Sequence, residues 1–261
     1  MRYGGIAILA VCAGLLGLLK LFETQLTYPL DPTDVRPAEI GLAMQRQIMT
    51  TPDGTDVIVW HAPPAAGQPI VLYFQGNAGG LGNRAQRFEV MMRAGLGISA
   101  LAYRGSTGSG GAPSEQALSA DAKLLAQLTA AQYPGVEIAY FGESLGTGVA
   151  ARLATEIAPA RMVLEAPYTS IPDAALQSDA PGWVRVLFAN LWDTEVHVAS
   201  VTAPLLVLHG IEDQVIPVEQ GRAVYGAAGS TDKRILTLPG VGHQDVWQPE
   251  VQAEFLKFLK G

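Results

Sequence analysis

The stretch Val136-Glu-Ile-Ala-Tyr-Phe-Gly-Glu-Ser-Leu-Gly-Thr-Gly-Val-Ala-Ala-Arg-Leu-Ala154 decides the fold of this chain. Its first part, through Phe141, is a short apolar run typical of a buried strand. The turn Gly142-Glu-Ser-Leu-Gly146 follows at once, and small and apolar residues then continue in the pattern of a helix. A G-x-S-x-G turn between a strand and a helix is the setting of a nucleophile elbow, which exposes a serine hydroxyl at the end of a sheet strand. The motif alone is weak, so its surroundings have to decide its meaning.

Apolar strands alternate with helical segments on both sides of this stretch. An alternation of this kind predicts an α/β fold with a mostly parallel central sheet flanked by helices. A β-hairpin precedes the alternation, with strands predicted at 46–51 and 56–61. Between residues 166 and 202 the alternation breaks, and Ile171–Gln177 and Trp183–Trp192 have a helical appearance. We interpret residues 168–200, approximately, as a small helical cap insertion beside the site; a peripheral excursion is the alternative.

The N-terminus carries a second organising feature. Residues 3–22 are apolar except for Lys20, and 20 residues of helix span about 30 Å, which is enough to cross the hydrocarbon core of a bilayer. A cleaved signal peptide and a buried soluble helix are the alternatives, but no pair of small residues marks a cleavage site in residues 20–30. We therefore predict a transmembrane anchor at 1–22, a lead-in at 23–47 and a catalytic domain at 48–261. The domain is expected on the extracytoplasmic side.

Composition and charge narrow the classes of partner. The 261 residues carry a formal net charge of −7 and no cluster of Lys and Arg, which argues against a nucleic-acid surface. Cys12 is the only cysteine and lies in the apolar N-terminal run, so neither a disulfide framework nor a cysteine metal site is expected. We expect no cofactor, no metal, and a small-molecule or acyl substrate. The oligomeric state is left open by the sequence.

A serine hydroxyl needs a histidine to take its proton and a carboxylate to hold that histidine. On this kind of sheet the partners follow the serine in the order acid, then histidine, on loops after later strands. Asp213 lies in the loop after the strand that ends at His209, and His243 lies in a glycine-flanked loop after the last strand. The predicted triad is therefore Ser144, Asp213 and His243. Glu212 is the alternative acid, and His209 reads as a buried histidine without a catalytic role.

Over nearly its whole length beyond the N-terminal run, the chain resembles the α/β-hydrolase superfamily. More narrowly, it resembles the membrane-anchored BEM46-type, serine aminopeptidase S33-like hydrolases. The segments that carry this resemblance are Leu72-Tyr-Phe-Gln-Gly-Asn-Ala-Gly79, Tyr103-Arg-Gly-Ser-Thr-Gly-Ser-Gly110 with Pro113-Ser-Glu115, Gly142-Glu-Ser-Leu-Gly146, Leu164-Glu-Ala-Pro-Tyr-Thr-Ser170, Leu208-His-Gly-Ile-Glu-Asp213 with Ile216-Pro217, and Gly242-His243.

The resemblance implies an α/β-hydrolase fold and the same three catalytic residues. It also implies an oxyanion hole made by the backbone N–H of Leu145 and of Asn77 or Gly76. One departure is Gln75, which stands where the family usually has a structural histidine; we expect catalysis to survive it. The implied activity is hydrolysis of a carboxylic ester or thioester through an acyl-enzyme. A serine peptidase or amidase of the S33 type is the alternative, and a catalytically silent membrane-bound scaffold is a further one.

Two hypotheses from other classes remain. Gly146-Thr-Gly-Val-Ala-Ala151 matches a dinucleotide-binding G-x-G-x-x-A pattern, with Glu165 at the end of the next strand. The first glycine comes too long after Phe141 for the tight turn that this pattern needs. A metal hydrolase built on Glu212, Asp213, His243 and Asp245 lacks a second histidine at ligand spacing.

Overall fold

The computed structural model describes residues 23–261, and an eight-stranded sheet runs through this part of the chain. The strands lie in the order β1-β2-β4-β3-β5-β6-β7-β8. β1 pairs antiparallel with β2, and β2 pairs antiparallel with β4, whereas the remaining neighbours pair in parallel. The strands are β1 Gln45–Thr50, β2 Asp56–Ala62, β3 Ile70–Phe74, β4 Gly97–Leu101, β5 Ile138–Glu143, β6 Arg161–Glu165, β7 Leu205–Gly210 and β8 Lys233–Leu238. The predicted mostly parallel sheet with a leading hairpin is confirmed.

Eight α-helices follow or interrupt the strands in the described residues. They are α1 Ala85–Arg93, α2 Glu115–Gln132, α3 Leu145–Ala154, α4 Ile171–Leu176, α5 Gly182–Arg185, α6 Thr194–Val198, α7 Val218–Ala227 and α8 Pro249–Lys260. Pro37–Ile40 and Leu81–Arg84 form 3-10 helices, and residues 23–27 are helical where the described part begins. The elements therefore alternate as the sequence predicts, from β3 onward.

The sheet is covered on both faces, which explains why its strands are continuous apolar runs. On one face, α2, α3, α6 and α7 pack against the sheet through a core that includes Leu118, Val149 and Val224. On the other face, α1 and α8 pack through Phe88 and Phe255. Both layers are needed because β3, buried along its whole length, presents apolar side chains to each side.

Residues 23–44, the part of the predicted lead-in that precedes β1, lie on the domain. Tyr28, Leu42 and Met44 are buried, and the Tyr28 hydroxyl donates to Asn190 Oδ1 at 3.0 Å. Among residues 23–261, none of the helices combines the length and apolar character that crossing a bilayer requires. The predicted anchor at 1–22 lies outside the described residues.

The expected long helix at Trp183–Trp192 is wrong: only α5 is helical there, and residues 186–193 are irregular. The reason lies in the backbone N–H groups, which bond to distant carboxylates instead of to carbonyls four residues back. Glu23 accepts from Ala189 N at 2.8 Å and from Asn190 N at 2.9 Å. Glu115 Oε2 accepts from Leu191 N at 2.8 Å and Trp192 N at 2.9 Å. Tertiary contacts here override a local helical preference.

Candidate active site

The turn at Ser144 is built on two glycines that let a strand and a helix approach closely. A Cβ on Gly142 would lie 2.4 Å from Gly146 O, and one on Gly146 would lie 2.0 Å from Phe74 O. Ser144 itself has φ 49° and ψ −115°, an uncommon conformation for a residue with a side chain. Its N–H donates to Glu165 O at 2.8 Å. This backbone holds the Ser144 hydroxyl at the carboxyl end of β5, the geometry of a nucleophile elbow.

The structure brings Ser144, His243 and Asp213 together. His243 Nε2 lies 3.1 Å from Ser144 Oγ, and His243 Nδ1 lies 2.7 Å from Asp213 Oδ2. A carboxylate at Nδ1 favours the tautomer with hydrogen on Nδ1, which leaves Nε2 free to accept the hydroxyl proton. Burial disfavours the ionised Asp213, but hydrogen bonds from His209, His243 and the Ile216 N–H prevail and hold its pKa below the ordinary value. The carboxylate is therefore charged at neutral pH.

The loops that carry Asp213 and His243 are hydrogen-bonded to each other. Glu212 N donates to Val241 O at 3.1 Å, and Val241 N donates to Glu212 Oε2 at 3.1 Å. A Cβ on Gly210 would lie 2.3 Å from Val241 O, so only glycine allows this approach. Glu212 thus links the two loops with its carboxylate, and the structure places Asp213, not Glu212, against His243.

His209 is buried, as expected, and lies behind the acid. Its Nε2 donates to Ile216 O at 2.9 Å and lies 3.5 Å from Asp213 Oδ2. Its Nδ1 faces Gly221, where a Cβ would lie only 2.2 Å away. Asp213 Oδ1 accepts from Val215 N and Ile216 N, each at 2.8 Å. The acid is therefore held in one orientation by its own loop.

The residues expected at an oxyanion hole lie beside Ser144. A Cβ on Gly76 would lie 3.4 Å from Ser144 Cβ. Asn77 and Leu145 line the same cavity as Ser144. Within residues 23–261, no acceptor is found for the backbone N–H of Asn77 or of Leu145. Both N–H groups are thus unpaired within the described residues, as donors for a developing negative charge must be.

Gln75 occupies the position where the family usually has histidine. It is fully buried, its Nε2 donates to Ser106 Oγ at 3.1 Å, and its backbone carbonyl accepts from the Tyr103 hydroxyl at 2.8 Å. Its Oε1 is buried without a partner. The loop is therefore tied down through the backbone and one amide hydrogen bond.

A network of buried charges, absent from the sequence-based expectations, lies under the site. Arg84 Nη2 lies 2.7 Å from Glu143 Oε1, and Arg87 Nη2 lies 2.7 Å from Glu165 Oε1. The Tyr73 hydroxyl also donates to Glu143. Arg84 and Arg87 are three residues apart, which places both on one face of a helical segment. In the sequence, the indication of this network was the pair of arginines three residues apart, shortly after the glycine-rich loop at 76–80.

This network also decides against the dinucleotide pattern. Glu165, the residue that would bind a ribose, has both carboxylate oxygens bound by Arg87. Gly146 lies against the end of β3, and a Cβ on Gly148 would lie 2.4 Å from the Tyr168 hydroxyl. These glycines serve helix packing rather than the approach of a phosphate.

Two cavities meet at Ser144. One, of about 380 Å³, has a mostly apolar lining, including Leu145, Ile171, Ala174, Leu187 and Phe188. The other, of about 770 Å³, is polar and charged, and its lining includes Arg84, Glu143, His243 and Asp245. Ser144, Asn77 and Val215 line both. The hydroxyl therefore faces an apolar chamber on one side and a polar one on the other.

Known proteins resemble this chain over most of its length. The sequence model of a family described as serine aminopeptidase, S33 matches residues 66–194 and 180–246. An uncharacterised protein of Mycobacterium tuberculosis is 34% identical over 246 residues, which are 92% of this chain and 87% of that protein. The lysophosphatidylserine lipase ABHD12 of Danio rerio is 26% identical over 85% of this chain and 72% of its own.

Two further likenesses concern a yeast protein and a solved structure. The protein bem46 of Schizosaccharomyces pombe is 27% identical over 94% of this chain and 88% of its own length. The structure of the esterase Pf2001 of Pyrococcus furiosus superposes with a TM-score of 0.73 at 18% identity, covering 90% of this chain and 96% of that one. At that identity the superposition speaks for the fold.

Proposed function

Since this chain belongs to the serine aminopeptidase S33 family and is an α/β-hydrolase of the BEM46 type, we propose that it hydrolyses carboxylic esters or thioesters that carry an acyl chain. The observation that carries the proposal is the position of the Ser144 hydroxyl. It lies within hydrogen-bonding distance of His243 and at the junction of an apolar and a polar cavity. An acyl chain fits the apolar cavity, and a polar leaving group fits the other.

The proposed reaction begins with attack of Ser144 Oγ on the substrate carbonyl carbon. His243 Nε2 takes the hydroxyl proton, and the Asp213 carboxylate stabilises the imidazolium through Nδ1. The negative charge on the carbonyl oxygen is held by the N–H groups of Leu145 and Asn77. His243 then gives its proton to the leaving alcohol or thiol, and the acyl group stays on Ser144.

A water molecule completes the cycle. His243 removes a proton from this water, which attacks the acyl carbon, and Ser144 Oγ leaves with the proton returned by His243. The products are a carboxylic acid and an alcohol or thiol. An amide substrate would follow the same steps, so the reaction type and the preferred leaving group are separate questions for experiment.

The relatives support an acyl substrate. The Danio rerio relative is named a lysophosphatidylserine lipase. In this chain the lining of the apolar cavity includes residues of three segments, 23–27, α4 and 187–188. That lining offers little polar recognition, which suits an alkyl chain better than a peptide side chain.

Ser144→Ala tests the proposal. The variant should lose about five to six orders of magnitude in kcat on p-nitrophenyl esters and should no longer react with a fluorophosphonate probe. Ser200→Ala, at an exposed serine, is the matched control and should behave as wild type. Retained activity and labelling in Ser144→Ala would reject the assignment of the nucleophile.

A substrate panel separates the classes. Wild-type enzyme should cleave acyl esters and thioesters of graded length faster than aminoacyl-p-nitroanilides. Preference for the anilides would favour the S33-type peptidase or amidase. If the wild-type protein turns over none of these substrates and the fluorophosphonate probe leaves Ser144 unlabelled, a catalytically silent scaffold is favoured.

A further inference from the structure

Several exposed apolar side chains lie in the wall of the apolar cavity or close to it along the chain. Ten large apolar side chains are exposed within residues 23–261, and five of them stand in or beside this cavity's wall along the chain. Two line the cavity, two directly adjoin a lining residue, and Trp183 lies three residues before one of these, Val186. We call them the apolar rim: Leu26, Leu176, Trp183, Val186 and Val215.

Three side chains of the rim have most of their surface exposed to solvent. Trp183 is 71% exposed, Val186 76% and Leu26 75%. Trp183 stands on α5 and Val186 follows that helix directly, on the segment that continues into Leu187 and Phe188 of the cavity wall. Large exposed apolar side chains gathered beside a cavity are typical of an interaction surface.

The chain itself indicates what covers the rim. Glu23, Leu26 and Thr27 line the apolar cavity, and the apolar run of residues 3–22 ends immediately before them. Leu26 comes four positions after Phe22, so at most about 14 Å of chain lies between the run and the rim. A segment of this length and composition favours a bilayer, so the rim is tethered close to a lipid surface.

The contacts of residue 23 strengthen this placement. The Glu23 carboxylate is buried and accepts from Ala189 N, Asn190 N and Asn190 Nδ2. Tyr28, farther along, accepts from Trp192 Nε1 at 2.9 Å. Residues 23–28, which follow the apolar run directly in the sequence, are thereby hydrogen-bonded to the segment that carries Phe188 and follows Trp183.

Charge does not contribute to the rim. Arg185, the basic residue between Trp183 and Val186, is paired with Asp193 and donates to Ser170 Oγ. Asp179 stands nearby, and the whole chain is acidic, with a net charge of −7. A partner recognised by this surface is therefore apolar rather than anionic, and a tryptophan at its edge is typical of side chains that sit at a membrane–water interface.

We propose that the apolar rim seats on a lipid bilayer and that an acyl chain passes from the bilayer directly into the apolar cavity beside Ser144. The seating depends only on the rim and the N-terminal run. The passage of an acyl chain rests on the proposed function. The two parts are therefore tested separately.

Seating is tested by fluorescence quenching in the full chain with Ser144→Ala, reconstituted in phosphatidylcholine vesicles whose acyl chains are brominated. Trp60 and Trp192 are buried, and Trp247 is partly buried, so the difference between this protein and its Trp183→Phe variant isolates Trp183. We expect the Trp183 emission to fall at least twofold relative to unbrominated vesicles, and equally so when phosphatidylglycerol is added.

The matched control moves the tryptophan to Ile48, an exposed residue of edge strand β1, by Ile48→Trp in the Trp183→Phe protein. This tryptophan should not be quenched. Unquenched Trp183, or equal quenching at both positions, overturns the seating. A change in oligomeric mass on Trp183→Ser without quenching also overturns it, because the rim would then cover a second copy of the chain.

Delivery is tested with the active enzyme carrying both Trp183→Ser and Val186→Ser. Neither residue lines either of the two cavities that meet at Ser144, so turnover of soluble p-nitrophenyl butyrate should equal that of wild type. The apparent KM for a long-chain ester held in vesicles should rise about tenfold. An unchanged KM overturns delivery. Loss of all esterase activity in wild type, with quenching intact, would reject the proposed function and leave the seating in place.

Discussion

Arg84 joins the two backbone segments that flank the Ser144 hydroxyl. Its Nη2 lies 2.7 Å from Glu143 Oε1, on the residue directly before Ser144. Its Nη1 donates to Ala78 O at 2.6 Å and Gly80 O at 3.2 Å, in the loop that carries Gly76 and Asn77. One side chain thus sets the distance between the hydroxyl and one of the proposed oxyanion donors.

Arg84→Met should therefore reduce kcat about a hundredfold, because a shift of about 1 Å in a donor or a nucleophile has that effect. KM should change less than about threefold, since the residue positions other groups. Arg84→Lys keeps the charge but cannot span both partners, and its loss should be smaller, about tenfold. Steady-state kinetics on a short soluble ester measures both constants.

Arg93→Met is the control for that experiment. Arg93 is also an arginine, three-quarters exposed, and its partner is Glu89 on the same helix. Its kinetics should match wild type, because exposed pairs contribute little. Full activity in Arg84→Met would show that the loop is positioned by other contacts, such as the Tyr103 hydrogen bond to Gln75 O.

The acid is distinguished from its neighbour by a pair of single substitutions. Asp213→Asn should lower kcat by about three to four orders of magnitude, because an amide in place of the carboxylate favours the wrong tautomer of His243. Glu212→Gln should stay within about threefold, since the Glu212 side chain bonds only to Val241 N in the described structure. The reverse ranking in kcat/KM would make Glu212 the acid.

The apolar cavity should set the preferred acyl length. Ala174 lies in its wall, and Ala174→Phe fills part of the roughly 380 Å³. We expect kcat/KM for a sixteen-carbon p-nitrophenyl ester to fall at least about tenfold, while that for the four-carbon ester changes little. Gln86→Phe, in the wall of the polar cavity, should leave the length preference unchanged. An equal loss on both esters would place the acyl chain elsewhere.

The sequence predicted the fold because its signals are local. The apolar runs at β3, β5 and β7 need burial on both faces, and the tight strand-to-helix turn after β5 has room only for glycine at 142 and 146. The order of Ser144, Asp213 and His243 along the chain then places them at one edge of a parallel sheet. The resemblance to BEM46-type hydrolases is confirmed by the family match and the relatives.

The errors and omissions concern contacts between residues far apart in the chain. Glu23 is 166 residues from Ala189, whose N–H it binds. A carboxylate so far away takes the N–H that a helix would use, and the sequence around Ala189 does not reveal it. Arg87 and Glu165 are 78 residues apart, so their pairing could not be predicted from spacing.

Glu143 links the buried charges to the dependence of stability on pH. Burial favours its neutral form, but Arg84 and Arg87 outweigh burial and lower its pKa from 4.5 to about 2. Because the pKa in the folded protein is lowered, the stabilising contribution is complete above about pH 4.5 and is lost as the pH falls toward 2.

Glu143→Gln should therefore change both the level and the slope of stability. At pH 7 the free energy of unfolding should fall by about 3–5 kcal/mol, because Arg84 loses its buried partner. Between pH 5 and 3 the variant should lose less stability than wild type, since it lacks the group that titrates there. Urea unfolding at pH 7, 5, 4 and 3 measures both effects.

Glu89→Gln, at an exposed pair with Arg93, should shift the whole curve by less than about 1 kcal/mol. Parallel curves for wild type and Glu143→Gln would contradict the assignment of the acid-sensitive group to Glu143.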